Sequence, residues 1–343
     1  MSHFRVTLKT IADACGFSVN TVSRALRDDP HLSRATREKI QKTALDLGYI
    51  RNSHASTLRS GKSGIIAVII NDVRNLHFCS LLSTMDAELR AHGYNMMVLC
   101  MQLDESLGEH LIRSAISQGV DGILYFPYHN RRSHIEIMRR NHMPFVLLDR
   151  WIQNETADNV RCDDFQGGYL AGSHLAQLGH RSFLFLSGVT QSSSQHDRLE
   201  GFLHATREHG IPDRNTRVIP GEQVESALSE ERFSDLLLPL DYTAIAAFRD
   251  EVAYPVMHVL EKYHVQIPED LSIVSFDHLR GEIPYLARLT SIYSDEKNVG
   301  IEGVRLLLER IAHPDAPPQV TLLPVRLYDE GTTAPPRSRN LEV

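Results

Sequence analysis

The sequence predicts an all-α head of helix-turn-helix type, followed by an α/β body of two doubly wound parallel-sheet subdomains. Three observations carry this. Residues 1–62 hold helix-period apolar patterns and 11 Lys or Arg against 5 Asp or Glu, a balance of +6. The whole chain stands at −7, so the remainder stands at −13. From Ile65 onward, short unbroken apolar runs alternate with helical stretches, the pattern of strands covered on both faces and joined by crossover helices. The length, 343 residues, is more than one ordinary domain holds. A composition 42% hydrophobic and 23% charged excludes a disordered or collagen-like chain.

In the head, Leu8, Ile11, Ala12 and Cys15 recur at helical spacing, and Gly16 stops the helix. Ser18 is placed to cap a second helix. There Val22, Ala25 and Leu26 share one face, while Val19, Asn20, Ser23 and Arg24 point elsewhere. A third helix starts at Ser33, is expected to bury Ile40, Ala44 and Leu47, and ends at Gly48. Three short helices with a tight Gly-containing turn between the first two have helix-turn-helix geometry. A small three-helix bundle with no nucleic-acid role shares the pattern, but the basic balance favours contact with phosphates.

In the body, strands are expected at 65–70, 96–100, 122–126, 145–148, 182–186, 244–247 and 272–275. Cys15, Cys79, Cys100 and Cys162 lack metal-ligand spacing and read as buried small side chains in a reducing compartment. The N-terminus lacks the apolar core of a signal peptide. No apolar run approaches the roughly 18 residues of a membrane span. A soluble, cytoplasmic protein is the expectation. The sequence contains no GxGxxG, GxSxG or HExxH, so nothing asks for catalysis, and neither a cofactor nor a metal is expected. Gly61-Lys62-Ser63 imitates the end of a phosphate-binding loop, but Ser56 stands where the first glycine belongs.

Residues 6–52, VTLKTIADACGFSVNTVSRALRDDPHLSRATREKIQKTALDLGYIRN, closely resemble the DNA-binding head of lac-repressor-type bacterial transcription regulators. Thr21-Val22-Ser23-Arg24 and Gly48-Tyr49 are the most specific parts. The resemblance continues through Val120-Asp121-Gly122-Ile123-Leu124, Pro144 to Arg150, Leu178-Gly179-His180-Arg181, Arg198-Leu199-Glu200-Gly201-Phe202 and Ile267-Pro268-Glu269-Asp270. It implies a body of periplasmic-binding-protein type I. The implied domains are a head at 1–50, a hinge helix or linker at 51–63, and an effector-binding and dimerisation domain at 64–343. Within the last, one subdomain spans about 64–164 and 292–323, the other about 165–291 and 324–343.

The resemblance also implies roles. Val19, Asn20 and Arg24 would face base edges; Asn suits adenine, Arg suits guanine, and Val can pack on a thymine methyl. Thr7, Ser18, Thr21, Ser23 and Arg51 would touch phosphates. Asn52, Ala55 and Leu58 would form a hinge that orders on DNA, with Leu58 wedged into the minor groove. The alternative is a plain flexible linker. Asp72, Asn75, Phe78, Asp149, Trp151, Arg198, Arg249 and Asp277 would line an effector pocket, where carboxylates and guanidinium groups suit hydroxyl-rich ligands. Trp151 stacks on a ring or simply packs.

Four departures from the family pattern stand out. Thr10 replaces a usual Asp, and Arg51 a usual proline. Leu76-His77 replaces a common Pro-Phe, and Arg249 a usual Asn. With Arg198, Arg249 raises the expectation of an anionic effector; pairing of Arg249 with Glu251 or Asp250 is the competing account. The expected partners are pseudo-palindromic double-stranded operator DNA, a carbohydrate-related effector and a second copy of the chain, with no membrane. The expected function is a repressor. A sugar-processing enzyme, or a solute-binding protein with an accessory head, is the alternative.

Overall fold

The computed structural model describes residues 6–50 and 62–337, except positions 103, 129, 189–191, 231 and 282. Contacts divide the chain into two units, Met1–Ser63 and Gly64–Val343.

The head consists of α1 (Leu8–Cys15), α2 (Val19–Ala25) and α3 (Arg34–Asp46). Each begins at a hydroxyl cap: Thr7, Ser18 and Ser33 accept the backbone N–H of Thr10, Thr21 and Thr36. Thr10 returns the favour, its hydroxyl accepting from the Thr7 N–H at 3.2 Å. The departure from Asp therefore preserves a capping box. Gly16 adopts φ 76° between α1 and α2, a left-handed turn that favours glycine. Ile11, Ala12, Cys15, Val22, Ala25, Ile40 and Ala44 form the core. Leu47, expected inside, is 37% exposed. The helix ends one residue earlier, at Asp46, and the chain folds back so that Tyr49 packs on the core instead.

The body contains two six-stranded sheets. The first takes β1 (Ile65–Ile70), β2 (Asn95–Cys100), β3 (Gly122–Tyr125), β4 (Phe145–Leu148), β5 (Asn159–Cys162) and β11 (Val320–Leu323), in the order β11-β5-β4-β3-β1-β2. All its pairings are parallel. The second takes β6 (Phe183–Leu186), β7 (Thr216–Ile219), β8 (Ala244–Ala247), β9 (Ser272–Phe276), β10 (Thr290–Tyr293) and β12 (Arg326–Tyr328), in the order β12-β10-β9-β8-β6-β7. Only β10–β12 is antiparallel.

Side chains alternate across each strand, so both faces need cover. Ile66, Val68 and Ile70 face α4 (His77–Ala91) and α12 (Glu296–Ala312), through Leu81, Met85, Val304 and Leu307. Ala67 and Ile69 face α5 (Glu105–Ser117) and α6 (Arg132–Arg140) through Ile112, Ala115 and Met138. In the second sheet Phe183 and Phe185 meet α7 (Asp164–Gln177) and α8 (Ser193–Glu208). Leu184 and Ile245 meet α9 (Gly221–Glu230), α10 (Phe233–Leu237) and α11 (Asp250–Lys262). Of the cysteines, Cys15 and Cys162 are buried as expected, Cys100 is half-buried, and Cys79 is exposed on α4. Among the described residues, no helix is long and apolar enough to cross a membrane.

Candidate functional site

On α2 of the head, Val22 and Ala25 are buried, while Ser18, Val19 and Asn20 are exposed on the opposite side of its N-terminal turn. Val19 keeps 44% of its surface in solvent. It stands exposed between the hydroxyl of Ser18 and the amide of Asn20. Arg24 is half-buried, and its Nε donates to Asp29 at 2.8 Å, which also holds the Asp29 carboxyl below its ordinary pKa. Thr7 caps α1 and Ser18 caps α2, while Thr21 and Ser23 lie half-buried on α2. Arg51, Asn52, Ala55 and Leu58 lie outside the described residues.

In the body, the ends of the strands bring side chains from both sheets to one cleft. Asn75, Phe78, Asp149, Arg198, Arg249 and Asp277 all line it. At its centre, Arg198 is buried between the rings of Phe248 and Phe276, 4.7 and 4.6 Å from their centroids. Its Nε donates to Asp164 at 2.6 Å, its Nη1 to the Phe248 carbonyl at 2.7 Å, and its Nη2 to Asp277 at 3.5 Å. Burial opposes its charge, but Asp164 and Asp277 hold it protonated far above its ordinary range. Close helix packing makes this possible. A Cβ on Gly168 would lie 2.0 Å from the Arg198 carbonyl oxygen, and one on Gly201 2.0 Å from that of Phe165, so only glycine lets α7 and α8 approach this far.

His77, the departure on α4, sits against two carboxylates. Its Nε2 is 2.7 Å from Asp149 Oδ2, and its Nδ1 is 3.4 Å from Glu296 Oε1. Burial works against a proton here, yet Asp149 and Glu296 outweigh it and raise the His77 pKa well above the ordinary value. Asp149 and Asp277 both take positive φ, 63° and 91°, which turns each carboxylate at the end of its strand at a cost in backbone strain.

Two expected pocket residues are elsewhere. Asp72 is held by Arg74, with Nη2 to Oδ2 at 2.7 Å, and does not line the cleft. The Trp151 indole donates to Asp197 at 2.8 Å and its backbone N–H to Ser193 Oγ at 3.0 Å, so it packs across the junction between the sheets' helices. Arg249 lines the cleft but is paired with Glu225 at 2.8 Å and Glu251 at 3.3 Å. Asp250 is buried behind the site, where it accepts from the Leu279 N–H and Ser291 Oγ, both at 2.8 Å, and so fixes the loop that carries Asp277. Sequence reasoning missed His77 as a polar lining group, and missed Asp164 and Glu296 altogether. Glu296 follows a strand too polar to be recognised; Asp164 was masked by Asp163, the actual cap of α7.

The family model for bacterial regulatory proteins of the lacI family matches residues 7–52. The model for periplasmic binding proteins and the sugar binding domain of the LacI family matches residues 63–331. The chain belongs to the LacI family. Its LacI-family relatives include the catabolite control protein A of Priestia megaterium, 27% identical, with 96% of this chain and 99% of the relative covered. The regulator DegA of Bacillus subtilis is 26% identical, with 96% and 99% covered. A LacI-family regulator of Enterococcus faecium solved with bound ribose superposes with a TM-score of 0.69 at 28% identity, over 79% of this chain and 99% of that one. The lac repressor dimer bound to operator and an anti-inducer gives a TM-score of 0.80 at 23% identity, over 96% and 100%. As a LacI-family member the chain is a DNA-binding transcriptional regulator with an effector-binding body.

Proposed function

We propose that this regulator is a cytoplasmic repressor that binds a pseudo-palindromic operator as a homodimer and answers to a neutral, hydroxyl-rich small molecule held in the cleft. The observation that carries the effector reading is the convergence on one cleft of Asn75, Phe78 and Asp149 from the first sheet's side with Arg198, Arg249 and Asp277 from the second's. A ligand that touches both sides favours one relative orientation of the subdomains by its differential affinity for it. Apolar Phe78, Phe126 and Phe248 beside directional carboxylates and an amide suit the two-sided polarity of a sugar ring.

Neutrality is favoured over an anion by the pairing already present. Arg198 is spent on Asp164 and Asp277, and Arg249 on Glu225 and Glu251. A phosphate would compete with those carboxylates for each guanidinium group. In the head, Val19, Asn20 and Arg24 read base edges, Asp29 presenting the Arg24 fork, while Thr7, Ser18, Thr21, Ser23 and Arg51 meet phosphates. Asn52, Ala55 and Leu58, outside the described residues, are assigned to minor-groove contact by the family resemblance alone, with a plain linker as the alternative. The relative solved with ribose and the repressor dimer solved on operator support this reading by analogy.

A thermal-shift screen against sugars, sugar acids and sugar phosphates tests the effector. Protection by neutral sugars is expected; protection by phosphates alone would reverse the assignment. Gel shifts with a V19A/N20A/R24A variant on DNA selected by the wild type test the head. Loss of sequence preference with retained weak, salt-sensitive binding is expected, and an unchanged preference would sink it.

A further inference from the structure

One arrangement in the cleft is unlike a hydroxyl-binding surface. His77 Nδ1 and Glu296 Oε1 are buried atoms that face each other at 3.4 Å, and neither completes a well-aligned hydrogen bond. The other ring nitrogen is already engaged, 2.7 Å from Asp149 Oδ2. We propose that His77, Asp277 and Glu296 form a binding site for a divalent transition-metal ion, which turns its remaining coordination positions toward hydroxyls of the small molecule in the cleft. The second half of this rests on the cleft being the effector site; the first half does not.

The geometry of a metal centre is largely in place. A carboxylate on the far nitrogen of a ligating imidazole fixes the tautomer and aims the lone pair, as Asp149 would for Nδ1 once a metal ion displaces the Nδ1 proton to solvent. With metal–ligand bonds of about 2.1 Å, adjacent ligands of a tetrahedral site lie about 3.4 Å apart, which is the His77–Glu296 separation. One ligand atom from each of His77, Asp277 and Glu296 falls within 4.8 Å of the other two. A movement on the order of 1 Å by the Asp277 carboxylate therefore closes the triangle.

The charge balance agrees. Asp149, Asp277 and Glu296 gather around one imidazole, while the cleft's guanidinium groups are divided among more carboxylates than these: Arg198 between Asp164 and Asp277, Arg150 between Asp149 and Asp164, and Arg249 between Glu225 and Glu251. A divalent ion offsets this excess better than a single proton does. One imidazole with two carboxylates suits Mn²⁺ or Zn²⁺ rather than Ca²⁺ or Mg²⁺, whose sites are built from oxygen. The ligands come from α4, the loop after β9 and the first turn of α12, so the ion would tie the two sheets' ends together. The competing arrangement is an imidazolium clamped between Asp149 and Glu296, which gives Asp277 no part.

The full-length protein, stripped with a chelator and free of any sugar, is titrated with Mn²⁺ by loss of the free-ion electron paramagnetic resonance signal, and with Zn²⁺ by calorimetry. One equivalent of at least one ion is expected to bind. E296Q and D277N should each weaken it tenfold or more, and D149N, which removes no ligand, by about tenfold. Melting curves check that the variants are folded. Binding of neither ion, or equal binding by wild type, E296Q and D277N, overturns the proposal. Because no sugar is present, either outcome leaves the effector assignment to its own screen.

Discussion

At the scale of single residues, the cleft depends on charges that the fold keeps away from water. Asp250 is the clearest case. Burial, with the nearby Asp277 charge, pushes its pKa up to about 7 from an ordinary 3.8. A carboxyl with a raised native pKa binds its proton more tightly in the folded state. Its contribution to stability is therefore present at low pH and declines as pH rises from about 4 toward 7, by at most on the order of 4 kcal/mol. D250N keeps an acceptor for the Leu279 N–H and cannot ionise. Urea melts across this range should show a flatter pH dependence for D250N than for wild type; an unchanged slope would mean that Asp250 stays ionised throughout. The head offers a second test. Gly16 stands at φ 76° with open space around the missing Cβ, so G16A adds backbone strain and no clash. About 1 kcal/mol of head stability should be lost, measurable by thermal melting of the head's circular dichroism.

At the scale of elements, the contact between α7 and α8 decides whether Arg198 reaches Asp164. G201A would bring a methyl group to 2.0 Å from a backbone oxygen, and no flexible side chain can yield. The helices must separate, with a loss of about 3 kcal/mol and displacement of Arg198. Denaturant unfolding reads the first; weakened ligand protection reads the second. These glycines were visible in the sequence, but the pairing they serve was not. Strands show the same division. All seven apolar runs became strands, because IIAVII or FLFL can be satisfied only between two layers of helices. NVRC, TRVI and TSIY escaped notice because polar side chains there have local work. Asn159 donates to the Leu147 and Arg150 carbonyls, and Ser291 to Asp250. β7, β11 and β12 lie at sheet edges, where alternation is weak. The cleft was legible where a charged residue followed a recognised strand, as Asp149, Arg249 and Asp277 do. It was not legible where the preceding strand was missed, as before Glu296, or where direction mattered, as for Trp151.

At the scale of the whole body, contacts outside the cleft tie the first sheet's side to the second's. Trp151 reaches Asp197 and Ser193, and the Leu76 N–H donates to Glu251 at 3.1 Å. W151F removes one of these bonds and little volume. A loss of about 1 kcal/mol would raise roughly fivefold the share of molecules in which the two sheets' sides have separated, seen as a larger radius of gyration in small-angle scattering; an unchanged value would mean that this bond does not hold the two sides together. The chain passes between the sheets three times: from β5 into α7, from β10 into α12, and from β11 into β12. Asp164 and Glu296 are the first residues of the helices that follow the first two passages. A guest seated against them presses on the axle rather than on the doors. It can bias the turn of one half against the other with almost no leverage lost, even if the guest is small.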